Sequence, residues 1–203
     1  MSDLFEEKSR DWDQNERVLA ISRAVGDAVL RHAGLRPGDR VLDFGAGTGL
    51  ICGRIAPRVQ RMVAVDISQS MLDQLARKPE LQGCVETRCQ NILDCPLDER
   101  FDLIVSAMAM HHVEDTDRLA RSLFGHLSPG GRIALADLDA EDGYFHDTGP
   151  DTEGVFHHGF DREDLARRFA EAGFEDIRFE TAHVVRKHKD YPIFLMLARR
   201  PED

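Results

Sequence analysis

Short apolar segments alternate with amphipathic segments through most of the chain, and this alternation constrains its fold more than any other feature. The apolar segments have the length and composition of buried strands. They span residues 40–44, 61–68, 84–89, 101–110 and 132–139. The amphipathic segments, which have the period of helices, span residues 15–34, 50–59, 70–78 and 115–127. Strands that alternate with helices in this way favour a parallel sheet with helices on both faces.

The last third of the chain follows a different order. A helix is predicted over residues 161–174, with Asp161 as its N-cap and Gly173 near its end. Two strand-like segments, residues 175–185 and 191–200, follow with only the polar stretch "RKHKD" between them. Strands this close in sequence pair naturally as an antiparallel hairpin. Because no linker is long enough to divide the chain, we expect residues 1–203 to form a single domain.

Composition and charge exclude several classes of protein. The chain has 203 residues, 42% of them hydrophobic, which is enough to bury a substantial core. Its formal net charge of −11 argues against nucleic-acid or anionic-membrane partners, which bind clustered Lys and Arg. No apolar run approaches the roughly 18 residues of a membrane span. The acidic N-terminal stretch does not resemble a targeting peptide, so we expect a cytoplasmic protein.

The cysteines allow two interpretations. Cys84, Cys89 and Cys95 lie close enough in sequence to suggest zinc ligands, but their spacing is irregular for such a site. The alternative is that these residues and Cys52 are reduced thiols in a reducing compartment, and we favour it. No metal site is therefore predicted.

The stretch "VLDFGAGTGL", residues 41–50, places Gly45, Gly47 and Gly49 directly after the first apolar run. Glycines weaken regular structure by roughly 0.5–1 kcal/mol each relative to alanine, so this loop suggests a backbone that lies close to a ligand. The dinucleotide pattern G-x-G-x-x-G fails at Leu50. Asp66 ends the second predicted strand, where a carboxylate suits the two hydroxyls of a ribose.

The pattern D-x-G-x-G-x-G, which begins at Asp43, resembles the first motif of the class I S-adenosylmethionine-dependent methyltransferases. That resemblance implies S-adenosylmethionine as cofactor, with the glycine loop under its methionine part and its ribose. It also implies that Asp43 helps to place the amino end of the cofactor. The cofactor-binding residues that it implies are Asp43, Gly45, Ala46, Gly47, Gly49, Asp66, Ile67, Asn91, Ile92 and Ser106.

Further motifs extend the resemblance over about residues 15–200. The stretch "CQNILDCPL" matches the segment that contacts adenine, although Asn91 stands where the family usually has an aspartate, which leaves Asp94 as an alternative contact. "FDLIVSAMAMHHVED" and "LSPGGRIALAD" resemble the motifs of the fourth and fifth strands. The implied fold is α/β and Rossmann-like, with a seven-stranded, mostly parallel sheet, helices on both faces and a C-terminal antiparallel hairpin.

The resemblance implies methyl transfer by in-line displacement, for which a histidine is the natural base. His111 follows the fourth strand, and the long loop 137–160 carries His146 and His158, so these three are the candidate catalytic residues. Loops of that length often bind ligands, but this loop is also compatible with a solvated acidic segment or with a metal held by Asp137, His146 and His158.

The remaining expectations concern the N-terminal segment and the acceptor. Residues 1–35 are predicted as a helical lid closed by Phe5 and Trp12, although a surface helix anchored by one aromatic side chain is equally compatible. The fifth strand is followed by "DLDA" rather than an N-P-P-Y type motif, which leaves a small-molecule acceptor as the default. A cofactor-binding accessory or regulatory module and a nicotinamide-dependent oxidoreductase are the alternatives.

Overall fold

The computed structural model describes residues 3–146 and 154–202, and across these ranges seven strands form a single sheet. The strands are β1 (Arg40–Phe44), β2 (Arg61–Asp66), β3 (Val85–Cys89), β4 (Phe101–Ala107), β5 (Leu127–Leu138), β6 (Glu175–Arg186) and β7 (Asp190–Arg199). Their order in the sheet is β3-β2-β1-β4-β5-β7-β6. Strands β1 to β5 pair in parallel, and β7 runs antiparallel to both β5 and β6. The predicted mostly parallel sheet with a C-terminal hairpin is confirmed.

The helices occupy the connections that the sequence predicts. They are α1 (Glu6–Ser9), α2 (Glu16–His32), α3 (Cys52–Ile55), α4 (Gln69–Ala76), α5 (Thr116–His126) and α6 (Arg162–Glu171). The N-cap predicted at Asp161 is present, since its side chain accepts from the amides of Glu163 and Asp164 at the start of α6. Asn15 caps α2 in the same way. Within the described ranges, no helix is long and apolar enough to cross a membrane.

Hydrophobic cores lie on both faces of the sheet because successive side chains in a strand point to opposite faces. In β1, Val41 packs into the core that also holds Val25 of α2 and Leu75 of α4. The next residue, Leu42, packs into the opposite core with Leu123 of α5. The two faces are therefore covered by different helices, and the carboxyl ends of the parallel strands remain open at one edge.

Some predicted boundaries are wrong, and each error has a local cause. The helix predicted over residues 50–59 shortens to α3 and a 3-10 turn at Ala56–Arg58, because Pro57 has no amide hydrogen to continue the helix. Strand β4 ends at Ala107 because Met108 takes a φ of 58°. The strand predicted over residues 132–139 begins earlier, because "SPGG" lies inside β5, where the pairing with β4 shifts register between Phe101 and Leu103.

Candidate active site

A cavity of about 540 Å³ lies at the carboxyl ends of β1, β2 and β4. In an open α/β sheet this edge is where ligands bind, because the loops on either side of a change in strand order leave a crevice. The loop after β1, the loop after β4 and the N-terminal segment all contribute walls to the cavity. Its volume is within the range of small-molecule sites.

The three glycines of the first loop have positive φ values, but the space around each one differs. A Cβ at Gly45 would lie 2.3 Å from Cβ of Ala109, and one at Gly49 would lie 2.6 Å from Cγ of Leu75. These two glycines therefore permit close packing within the protein. At Gly47, with a φ of 54°, a Cβ would meet nothing within 4 Å, and the residue lines the cavity. Gly47 is thus where the missing side chain leaves room for a ligand.

Asp66 lies at the end of β2 and is held against the glycine loop. Its Oδ2 accepts a hydrogen bond from the amide of Gly47 at 2.7 Å, and its Oδ1 accepts one from the amide of Ser68 at 2.9 Å. Burial raises the pKa of this carboxyl despite these bonds. Asp66 and the neighbouring Ile67 line the cavity, where each carboxylate oxygen retains a further lone pair.

Asp43 lies within β1, and its side chain has a thiol as partner. Cys52 Sγ donates to Asp43 Oδ2 at 3.2 Å, and both residues are buried. Burial raises the pKa of Asp43 to about 7 because an isolated carboxylate is poorly solvated there. Since Asp43 lines the cavity, a bound cation would favour its ionised form.

Some of the other residues predicted to bind the cofactor line the cavity, and the rest support its walls or pack elsewhere. Asn91 lines the cavity, with its Nδ2 donating to Asp94 at 2.8 Å and its Oδ1 accepting from the amide of Leu93 at 3.0 Å. The side chain of Ile92 instead packs into a core. Ser106 Oγ donates to the carbonyl of Phe44 at 2.7 Å and joins β4 to the end of β1. Among the described residues, those lining the cavity include Ala46 but not Gly49, Ile92 or Ser106.

The N-terminal segment lies over the cavity, and both predicted aromatic residues, Phe5 and Trp12, contribute to its lining. Two carboxylates hold the segment in place. Asp3 Oδ2 accepts bonds from the amide and the hydroxyl of Ser70 at 3.0 and 2.8 Å. Asp13 Oδ1 accepts from Thr48 Oγ1 at 2.5 Å. Neither carboxylate could be singled out from the sequence, because their partners are distant in the chain.

His111 and Asp137 form a buried pair at the end of the cavity beside β4 and β5, whereas Asp66 lies at the end beside β2. His111 Nδ1 lies 2.8 Å from Asp137 Oδ1, and the His111 amide donates to Asp137 Oδ2 at 3.2 Å. Burial acts to raise the pKa of Asp137, but the charge of His111 and the hydrogen bonds from His111 and Leu138 together hold it below its ordinary value. Asp137 is therefore a carboxylate acceptor, Nδ1 of His111 carries the proton that it accepts, and His111 lines the cavity.

His112 and His146 stand beside this pair and also line the cavity. The ring of His111 lies 4.1 Å from that of His112 and 5.0 Å from that of His146, between centroids. Burial, reinforced by the charge of His111, lowers the pKa of both neighbours to about 4. The Nε2 atom of His146 is buried and has no hydrogen-bond partner in the described part of the chain.

His158, the third candidate catalytic residue, lies elsewhere. Its side chain is 58% exposed and stands 3.6 Å from Glu141, and it is not among the described residues that line the cavity. The metal ligands considered above are not brought together, since the described residues contain no group of three His, Cys, Asp or Glu placed to hold an ion. Part of loop 137–160, residues 147–153, lies outside the described residues.

Comparison with known families identifies the chain. A family model described as a methyltransferase domain matches residues 14–178. The chain belongs to this methyltransferase family. Its membership of the class I S-adenosylmethionine-dependent methyltransferases, which the sequence motifs predict, is confirmed, and S-adenosylmethionine is the cofactor of this group.

Relatives of this methyltransferase are found in several organisms. An uncharacterised methyltransferase of Schizosaccharomyces pombe is 33% identical over 138 residues, which cover 61% of this chain and 49% of that protein. The chain therefore spans about half the length of this relative. The ubiquinone/menaquinone biosynthesis C-methyltransferase UbiE of Edwardsiella ictaluri is 30% identical over 191 residues, which cover 78% of this chain and 76% of that one.

Among solved structures, the N-methyltransferase NodS of Bradyrhizobium japonicum, in complex with S-adenosylhomocysteine, is similar to this methyltransferase. The TM-score is 0.75, with 99% of this chain and 100% of that chain covered. Because the sequences are only 17% identical, the likeness shows that the two proteins share a fold.

Proposed function

We propose that this protein transfers a methyl group from S-adenosylmethionine to a small-molecule acceptor. One observation carries the proposal: a single cavity joins Gly47 and Asp66 at one end to His111 and His146 at the other. The first pair suits an adenosyl cofactor, and the second offers basic nitrogen atoms to a reacting group. A site for cofactor and a site for acceptor would thus meet beneath the N-terminal segment.

The residues at the first end suit the cofactor. Gly47 leaves its backbone accessible, Asp66 offers lone pairs to ribose hydroxyls, and Asp43 offers a carboxylate to the ammonium group. Asn91 would reach the adenine, with Asp94 also at the cavity wall. When bound, S-adenosylmethionine would supply an activated methyl group on a positively charged sulfur, which would leave as a neutral thioether.

The protein would contribute mainly alignment and the exclusion of water. Holding two reactants in line can lower a barrier by roughly 7–11 kcal/mol. Phe5 and Trp12 stand over the cavity and are suited to keep water from the reacting groups. The N-terminal segment would open to admit ligands and close over them.

A small-molecule acceptor suits the protein best. The net charge of −11 disfavours nucleic acid and anionic membranes as partners, and the same charge and composition are compatible with a cytoplasmic protein. The relatives include proteins named as C-methyltransferases and as N-methyltransferases, so the methylated atom does not carry over from them.

Isothermal titration with S-adenosylmethionine, S-adenosylhomocysteine and NADH, followed by a search for methylated products by mass spectrometry, tests the proposal. Binding of the two sulfur ligands that weakens in Asp66→Asn, together with a methylated product, is the expected result. Binding without transfer to any acceptor would favour the accessory module. Binding of NADH alone would contradict the proposal.

A further inference from the structure

The acceptor end of the cavity combines a fixed base, flat apolar walls and a positive charge. We propose that the acceptor is a phenol, that His111 accepts its hydroxyl proton, and that Asp137 is the positioning residue that orients His111. This inference rests on the proposed function, since it names the acceptor class of the same site.

His111 is held rigidly in one orientation. Its amide and Nδ1 both interact with Asp137, and its carbonyl accepts hydrogen bonds from the amides of Phe156 and His157 at 2.9 and 3.3 Å. Because Nδ1 donates to the carboxylate, Nε2 is the nitrogen with a free lone pair. The side-chain hydrogen bond of His111 among the described residues is made by Nδ1, not by Nε2. In its neutral form, an imidazole whose Nδ1 donates to a carboxylate presents the lone pair of Nε2 and is arranged as a proton acceptor.

The walls at this end are aromatic. Phe5, Phe145 and Phe156 line the cavity near the histidines, and the Phe145 ring lies 5.1 Å from the ring of His146. Phe5 meets His112 edge to face at 5.4 Å. Flat apolar walls favour a planar ring over a flexible polar molecule. Since the Nε2 atom of His146 is buried without a partner, a polar substituent of the acceptor would satisfy it.

The positive charge of Lys8 favours an acceptor that becomes negative as it reacts. Lys8 lines the same cavity, with its Nζ 5.8 Å from the centroid of the Phe5 ring, and its charge reaches both His112 and His146. Among the described residues, the charged and titratable groups that act on His146 are His111, His112, Asp137 and Lys8, and the carboxylates of Glu114 and Asp115 also line the cavity. A phenolate, which forms as a phenol loses its proton, would be stabilised by the charge of Lys8. A phenol, with a pKa near 10, is also within reach of an imidazole base, unlike an aliphatic alcohol.

The chemistry balances without another reactant. The O–H bond of the phenol breaks, its proton moves to Nε2 of His111, and its electron pair becomes a lone pair on the oxygen. That oxygen forms the new bond to the methyl carbon as the carbon–sulfur bond breaks towards sulfur. The products are an aryl methyl ether and a neutral thioether, and the proton on His111 returns to solvent.

The test uses 4-nitrophenol as a probe, because its phenolate absorbs at a different wavelength from its neutral form. The full chain is saturated with S-adenosylhomocysteine, so that no transfer occurs, and the spectrum of bound probe is recorded over a range of pH. We expect bound probe to ionise at a lower pH than free probe. We expect at least a tenfold smaller phenolate signal at the same pH in His111→Gln and a higher ionisation pH in Asp137→Asn.

His158→Gln is the matched control, because His158 belongs to the same loop region but does not line the cavity. It should retain the wild-type spectrum. Circular dichroism and the affinity for S-adenosylhomocysteine establish whether each variant folds. If a variant does not fold, the spectrum of the probe bound to the wild-type protein still tests the proposal. A second arm supplies S-adenosylmethionine with phenols or with benzylamine, and a methyl ether from the phenols is the expected product.

The outcomes separate this inference from the proposed function. If S-adenosylhomocysteine does not bind, the proposed function fails and this inference fails with it. If it binds but the bound probe stays protonated, or benzylamine is methylated while the phenols are not, only the phenol proposal is overturned. Equal loss of the phenolate signal in His111→Gln and His158→Gln would also overturn it.

Discussion

Asp13 Oδ1 accepts a hydrogen bond from Thr48 Oγ1 at 2.5 Å, which joins the N-terminal segment to the glycine loop across 35 positions of the chain. The other carboxylate oxygen of Asp13 pairs with Lys78 Nζ at 2.6 Å, just beyond α4. Because Trp12 precedes Asp13 and lines the cavity, these contacts hold an aromatic wall in its closed position. Asp13 therefore acts as a latch on the N-terminal segment, and its removal should make a bound ligand dissociate faster.

Replacing Asp13 with alanine should speed the release of S-adenosylhomocysteine. Each lost contact is worth about 1 kcal/mol, so the dissociation rate should rise by about 5- to 30-fold. Stopped-flow fluorescence measures this directly, because Trp12 is the only tryptophan in the chain. Asp11→Ala is the control, since Asp11 contacts Gln14 rather than the glycine loop. Equal rates in the two variants would exclude the latch.

Gly47→Ala and Gly83→Ala form a matched pair. Both glycines have positive φ, 54° and 75°, and in both a Cβ would meet nothing within 4 Å. Each variant should therefore lower the free energy of unfolding by about 1–2 kcal/mol, the cost of a left-handed conformation for a side chain.

The two variants should differ in binding, because Gly47 lines the cavity whereas Gly83 is not among the described residues that do. Titration calorimetry should show at least about tenfold weaker binding of S-adenosylhomocysteine in Gly47→Ala, about 1.4 kcal/mol, and wild-type affinity in Gly83→Ala. Similar affinities in both would mean that the ligand does not approach the backbone at Gly47.

Asp43 should make the binding of S-adenosylmethionine depend on pH. Burial raises the pKa of this carboxyl to about 7, so below that pH the ligand-free protein holds it protonated. The ligand carries positive charge and favours the ionised form, so its affinity should rise as the pH increases through about 7. Calorimetry across that range should show the rise in the wild type and a flat profile in Asp43→Asn.

Asp43 should also make the stability of the ligand-free protein depend on pH, but stability should fall where ligand affinity rises. Its pKa is raised from 3.8 to about 7 on folding, so between those values the folded protein binds more protons than the unfolded one. The free energy of unfolding should therefore decrease as the pH rises from about 4 to 7, because ionising the buried carboxyl becomes a cost to the folded state alone. Urea unfolding of the wild type and of Asp43→Asn should diverge over that range, and parallel curves would contradict a raised pKa.

Glu141 should hold the loop that carries Phe145 and His146. Its Oε2 accepts hydrogen bonds from the amides of Gly143, Tyr144 and Phe145 at 2.8, 2.9 and 3.2 Å. Glu141→Ala removes all three, so those amides should exchange with deuterium faster, by about 10-fold or more.

Hydrogen exchange followed by mass spectrometry measures the change in this loop. The control is Glu171→Ala, which removes an exposed carboxylate from the end of α6 and should leave the loop unchanged. Binding of S-adenosylhomocysteine should be nearly unaffected by Glu141→Ala, because the loop faces the acceptor end. Unchanged exchange at residues 143–145 would mean that other contacts hold the loop.

Much of the fold could be predicted because it depends on local patterns. The alternation of Val41 and Leu42 between opposite cores follows from the two-residue period of a strand. The cap at Asn15 depends on atoms two and three residues away. The errors arose where a local signal has two outcomes, as at "SPGG", which is compatible with a turn and with the irregular start of β5.

Some features of the candidate site could be predicted from local patterns, and others could not. The glycine loop and Asp66 could be found from the sequence because their positions at the ends of β1 and β2 follow from the strand pattern. The different surroundings of Gly45, Gly47 and Gly49 could not, because they depend on how closely Ala109 and Leu75 approach.

The sequence by itself determined the α/β architecture, the family and the edge of the sheet at which the cavity lies, since these follow from periodicity and from motifs in order. Only the tertiary structure paired His111 with Asp137, placed Asp13 on Thr48 and kept His158 away from the cavity. Those relationships depend on strand register and on the paths of loops, which bring together side chains that no local pattern connects.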